Sequence, residues 1–169
     1  MINSNLKYVI WFLVCIALQV LFFYRIQAVP YMHVYVYVLF LLILPFETPA
    51  YLLMFLALIT GVSVDAFGNT LGMHAASSVL LAFMRPGVLR LYSPRDGYEK
   101  NTSPSVRDYG FVWFLKYSVT LILVHHFVLH MIDAFGFYLF HFTLLRTFLS
   151  TLATVSVIIL IQYLTIRRK

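Results

Sequence analysis

Between Tyr8 and Ile166 the chain is a series of apolar runs separated by short polar breaks, and the runs are long enough to reach deep into a bilayer. Inside hydrocarbon each backbone N–H and C=O must find its partner within the protein, which directs such runs into helices. Of the 169 residues, 62% are apolar and 11% charged, with a mean hydropathy of +0.90. A soluble domain of this length could not bury that much apolar surface. The expectation is an all-α polytopic membrane protein forming a single integral membrane domain, 1–169.

Six spans are expected, at about 8–24, 31–44, 49–67, 71–92, 109–134 and 142–166. The second is short for a bilayer that needs about 20 residues. Pro86 and Gly87 are expected to kink or end the fourth. The net charge of +6 raises nucleic acid as a partner. The basic residues, however, lie between and at the ends of the apolar runs, where topology signals lie, and no basic groove is formed. Under an even count Lys7, Arg85, Arg90, Arg95, Lys100, Arg107 and the terminal Arg167-Arg168-Lys169 share one side, against Arg25 and Arg146 on the other. The positive-inside rule then places both termini in the cytoplasm. Lys116 is expected to snorkel to the same inner side. The turns near Ala28, Asn69 and Gly136 face outward, and Tyr24, Tyr31, Tyr92, Tyr109, Trp113, Phe135, Phe137 and Tyr138 form interfacial belts.

The lone Cys15 excludes an intramolecular disulfide. The first segment lacks a small-residue cleavage site and reads as uncleaved, and the residues before Cys15 do not suit lipidation. The stretch 93–108, SPRDGYEKNTSPSVRD, reads as a flexible, solvated cytoplasmic connection, with a docking site for a cytoplasmic partner as the alternative. Glu47, between Pro45 and Pro49, falls in a tight inner turn, solvated or paired with an arginine of that connection.

Phosphate loops, cysteine clusters, nucleophile elbows and acidic dyads are absent from the sequence. The most suggestive polar group is His125, His126, His130 and Asp133 in the fifth span. On a helix, His126, His130 and Asp133 share one face. Two histidines four apart with a carboxylate can ligate a metal. A polar stripe hydrogen-bonded across helices fits better, because His33, His74 and His141 are isolated in the sequence. Arg146, at the same end of the sixth span, is the expected ion-pair partner of Asp133. No metal and no cofactor are expected.

The residues 61–74, GVSVDAFGNTLGMH, hold an acid inside apolar sequence. An Asp at a helix centre costs about 2.5–3.5 kcal/mol on insertion scales and less near an interface. Counting turns from Pro49 puts Asp65 near the outer boundary. Ala57, Gly61, Asp65 and Gly68 line one helix face, and Gly72 and Ala76 repeat the small-residue spacing after the turn. In lipid, helices associate by close packing at small residues, so spans three and four are expected to form a tight hairpin. The N-terminus of span four would favour the Asp65 carboxylate, with His74 as a second partner.

These residues also carry a resemblance. GVSVDAFGNTLGMHAASSVLLAFM resembles the signature region of the rod shape-determining protein MreD family, in which a helix ending G-x-x-x-D meets one opening L-G. Gly61, Asp65, Leu71 and Gly72 match, while Phe-Gly-Asn-Thr stands where the family often has a Ser-Gly turn. The resemblance implies a non-enzymatic inner-membrane component of bacterial cell-wall elongation. Its implied partners are MreC and, indirectly, RodA, a class B penicillin-binding transpeptidase and MreB. It also implies likeness to the S-component fold of energy-coupling-factor transporters. The alternative is a small-molecule-binding, S-like component of a transporter, supported by Asp65, His74 and the polar stripe. A membrane enzyme is disfavoured, because the polar groups make no acid, base and nucleophile set.

Overall fold

The structure is a computed structural model that describes residues 4–24, 31–70, 72–100, 102–135 and 140–165. Leu71, Arg25, Ala28, Gly136, Phe137, Tyr138 and the basic residues 167–169 lie outside the described residues, and so do the expectations placed on them. The described chain is helical, with no strand. Helix α1 (Ser4–Leu18) continues into a π-helical turn, Gln19–Phe23. There follow α2 (Val38–Leu42), α3 (Ala50–Gly68), α4 (Met73–Leu91), α5 (Val106–Tyr109), α6 (Phe111–Asp133) and α7 (Phe140–Thr165).

Among the described residues, four helical stretches are long and apolar enough to cross a membrane: Leu6–Phe23, Ala50–Gly68, Phe111–Asp133 and Phe140–Thr165. Helix α4 matches α3 in length but carries a buried polar face, His74, Ser77, Ser78 and Arg85. It packs between α3 and α6, and α7 lies on the far side of α6. Pro86 sits inside α4, which runs on to Leu91 without ending at the Pro-Gly pair.

The segment expected as the second span, 31–44, is helical only over Val38–Leu42. Residues 35–44 are nevertheless all buried in the bundle. Irregular backbone at membrane depth is tolerated where protein covers it and supplies its hydrogen bonds. Here the neighbours do so. The amides of His33 and Tyr35 donate to Ser150 Oγ and Thr154 Oγ1 of α7, at 3.0 and 3.1 Å. The carbonyl of Val34 accepts from Gln19 Nε2 at 3.1 Å.

At the other end of this segment lies Arg85. Read from sequence as an inner-loop charge, it is instead 1% exposed within α4. Its Nε donates to the Tyr117 hydroxyl at 2.8 Å, and Nη2 donates to the Leu44 carbonyl. Nη2 also reaches the Leu42 carbonyl and Nη1 that of Pro45, both at 3.5 Å. Tyr117 donates in turn to the Leu42 carbonyl at 3.0 Å. The guanidinium thus ends α2 by taking up carbonyls that a short helix leaves free. Its fork of donors suits that task. The inner-side charge count therefore loses Arg85.

The connection 93–108 is exposed at Ser93, Arg95, Asp96, Gly97, Glu99, Lys100, Arg107 and Asp108, as expected of a solvated linker, but it is not loose. Tyr98 stacks on Phe46, with ring centroids 4.1 Å apart, and its hydroxyl donates to the Leu89 carbonyl at 2.7 Å. Burial pushes that hydroxyl up to about 12. Tyr109 and Trp113 complete the aromatic cluster around Phe46. The Phe46 amide donates to the Thr102 carbonyl, and Tyr8 meets Ser103 at 3.0 Å. Glu47 beside this cluster is exposed.

Candidate functional site

Helix α3 buries Leu53, Ala57, Thr60, Gly61, Val64 and Asp65 against the bundle. At Gly61 the backbone of α4 comes so close that a Cβ would stand 2.7 Å from the carbonyl carbon of His74 and nearer still to Ala75. The small residue opposite Gly61 is therefore Ala75, and Ala76, expected in that role, is exposed. Gly72 does not pack either: nothing lies within 4 Å of where its Cβ would be. It is needed for its φ of +79°, the left-handed region that glycine enters freely, at the N-cap of α4. Gly68 leaves room for Tyr24, whose ring carbon Cζ would be 2.8 Å from a Cβ there. The turn itself is made by Asn69, left-handed at φ 51°.

Across this turn the Asp65 carboxylate is fully engaged and 8% exposed. Its Oδ1 accepts from Thr70 Oγ1 at 2.6 Å, the His74 amide at 3.1 Å and His74 Nδ1 at 2.9 Å. Its Oδ2 accepts from the Ala75 amide at 3.0 Å. A carboxylate from the preceding helix thus takes two amides of the first turn of α4, where the peptide dipoles favour negative charge.

The histidines of α6 are each bonded to another segment of the chain. His125 Nε2 meets the Tyr37 hydroxyl at 2.8 Å, and its Nδ1 meets His126 Nδ1 at 3.1 Å. His126 Nε2 meets Thr154 Oγ1 at 3.0 Å, and His130 Nδ1 meets Thr147 Oγ1 at 3.2 Å. Asp133 pairs with Arg146 at 2.8 Å, and Arg146 Nη2 reaches His33 Nε2 at 3.3 Å. No group of three or more His, Cys, Asp or Glu placed to hold a metal ion occurs among the described residues.

Two groups of residues that looked separate in the sequence meet at one cavity of about 290 Å³. Gly68, Thr70 and His74 line it from the hairpin, and His130, Asp133 and Arg146 from α6 and α7. Gln19, Phe23 and Tyr24 close it from the end of the first helix, and residues 33–35 from the irregular segment. Ala57 and Gly61 stand away from it, in the helix contact.

Reasoning from sequence missed Gln19, His33, Tyr35 and the polar face of α7. The signals were there. Gln19 is an isolated amide in an apolar run, and Thr147, Ser150, Thr151 and Thr154 keep a helical spacing that buries them together.

The fold and these contacts define an all-helical protein of membrane-spanning composition with a polar cavity inside its bundle. No family model matches the chain, and no curated protein or solved structure matches it.

Proposed function

We propose that the chain is a non-catalytic integral membrane component of the bacterial cell-wall elongation complex, of the MreD kind. In this reading it binds MreC and through it associates with RodA, a class B penicillin-binding transpeptidase and MreB. It crosses the inner membrane six times, in the manner of a transporter S component, with both termini cytoplasmic.

The observation that supports the reading is where its signature residues lie. Gly61, Asp65 and Gly72 carry the resemblance, and all three build the α3–α4 hairpin: one as a helix contact, one as a carboxylate on the next helix, one as a left-handed cap. Beside the hairpin, α1 and α3 leave an apolar groove of about 510 Å³ lined by Tyr8, Phe12, Phe40, Leu52, Leu56 and Ile59. That groove is a place for a partner's transmembrane helix, since close packing drives helix association in lipid.

Photoreactive residues placed along α3 and α4 in cells test this reading. Adducts with MreC, concentrated at groove positions such as Leu52 and Ile59, are the expected result. Adducts with no wall-elongation protein at any position would overturn it.

A further inference from the structure

The cavity holds more polar valence than its own walls use. Gln19 is 1% exposed, and its Nε2 is committed to the Val34 carbonyl, which fixes the amide and leaves Oε1 without a partner. His74 is 3% exposed. Its Nδ1 faces the Asp65 carboxylate and must carry the proton, so the unpartnered Nε2 presents a lone pair. His130 is 1% exposed, with Nδ1 on Thr147 and Nε2 unpartnered. A buried polar atom left without a partner is costly, and the three residues that carry these atoms line one cavity.

The fourth unpartnered group there is a donor. Arg146 spends Nη1 on Asp133 and Nη2 on His33, and its Nε–H is buried without a partner. The cavity therefore offers two acceptors, Gln19 Oε1 from the π-helical turn and His74 Nε2 from α4, a third at His130 Nε2 of α6 in the tautomer whose Nδ1–H donates to Thr147, and one cationic donor from α7. An ammonium has three N–H donors. A carboxylate is the natural acceptor for a guanidinium N–H. The ring of Tyr35, which packs edge-on to His74 and His126 at 5.6 and 5.0 Å, gives the wall an aromatic character that suits a cation.

We infer that the cavity is a binding site for a small zwitterion of amino-acid size. Its ammonium sits among Gln19 Oε1, His74 Nε2 and His130 Nε2, and its carboxylate meets Arg146 Nε. At about 290 Å³ the cavity lies at the lower edge of the range for ligand pockets, about 300–1,000 Å³. Entry is at the Asp133–Arg146 pair, the exposed part of the lining. The assignment stands independently of MreC binding.

Calorimetric titration of the full chain in lipid nanodiscs tests it, with glycine, L-alanine, ethanolamine and acetate as probes. Glycine or L-alanine should bind saturably. Ethanolamine, without a carboxylate, and acetate, without an ammonium, should each bind at least about tenfold more weakly, the equivalent of about 1.4 kcal/mol. Gln19→Leu and His130→Phe should each weaken the amino acid by a similar factor. Lys116→Gln, exposed and outside the cavity, should leave affinity unchanged and serves as a control. Absence of saturable binding by all four probes up to about 10 mM, as for a cavity filled by water alone, would overturn the assignment. So would affinity unchanged in both cavity variants while they remain folded.

Discussion

Asp65 and His74 are joined twice, through the His74 amide at 3.1 Å and its ring Nδ1 at 2.9 Å. One side chain thus satisfies the first turn of α4 and sets the tautomer of a buried imidazole. The acid that looked costly in sequence is the cap of the next helix. An asparagine there keeps an oxygen for the Oδ1 donors but turns an NH₂ toward the Ala75 amide. Asp65→Asn should lower stability by about 1–3 kcal/mol, the range for one buried unsatisfied donor. Asp65→Leu, which strips all four bonds, should cost more. Thermal unfolding of the purified variants in nanodiscs gives the order; equal stability of Asp65→Leu and the parent chain would remove the capping role.

Gly61 and Gly72 look alike in sequence and differ in kind. A methyl at Gly61 meets backbone, which cannot step aside without parting α3 from α4. Gly61→Ala should cost at least the about 1–3 kcal/mol of an overpacked core, and Gly61→Leu should prevent assembly of the hairpin. At Gly72 there is open space and a positive φ, so the penalty is the left-handed backbone, about 1–2 kcal/mol. Gly72→Ala and Gly72→Leu should therefore be equally and modestly destabilised. Yields of folded protein after detergent extraction distinguish the two patterns.

What sequence could and could not reveal follows from the same residues. Helix positions and the hairpin are local properties: apolar length, glycine spacing and one acid four residues past Gly61 define them. The meeting of the hairpin with His130 and Arg146 is not local. It depends on α6 packing against α4, which no spacing encodes. Segment 31–44 misled for a related reason. Its apolar run has the composition of a spanning helix, but its hydrogen bonds go to Gln19, Ser150, Thr154 and Arg85, residues far away in the chain. Arg85 itself looked like a topology signal, because a charge beside Pro-Gly at an apparent helix end is usually one.

The docked connection 93–108 makes a further prediction. Trypsin sites at Arg95, Lys100 and Arg107 lie around Tyr98, which anchors the stretch on Phe46 and Leu89. Tyr98→Ala should speed cleavage there about tenfold, as expected when about 1.4 kcal/mol of docking is lost. Tyr98→Phe, which keeps the stack, should fall between. Free tyrosine ionises near pH 10, and the docked hydroxyl only at about 12. Docking is therefore fully present below about pH 10 and weakens as pH rises through that window. Cleavage rates unchanged by Tyr98→Ala would show that the stretch is not held by this residue.

Arg85 carries the strongest prediction about the fold. It is a buried cation without a carboxylate partner among the described residues, held by three carbonyls and the Tyr117 hydroxyl. Arg85→Met fills the space but leaves the carbonyls of Leu44 and Pro45 without this donor in a dry site. At about 1–3 kcal/mol for each buried group left unpaired, the variant should lose several kcal/mol. Arg85→Lys keeps the charge and loses the fork. A single ammonium cannot serve Tyr117 on one side and the end of α2 on the other, so lysine should rescue only part of the loss. Charge alone, as a topology signal, makes the opposite forecast: lysine would then equal arginine, and methionine would alter orientation and not stability. Unfolding midpoints of the three proteins, read together with the sidedness of a cysteine label on residue 96, separate the two accounts.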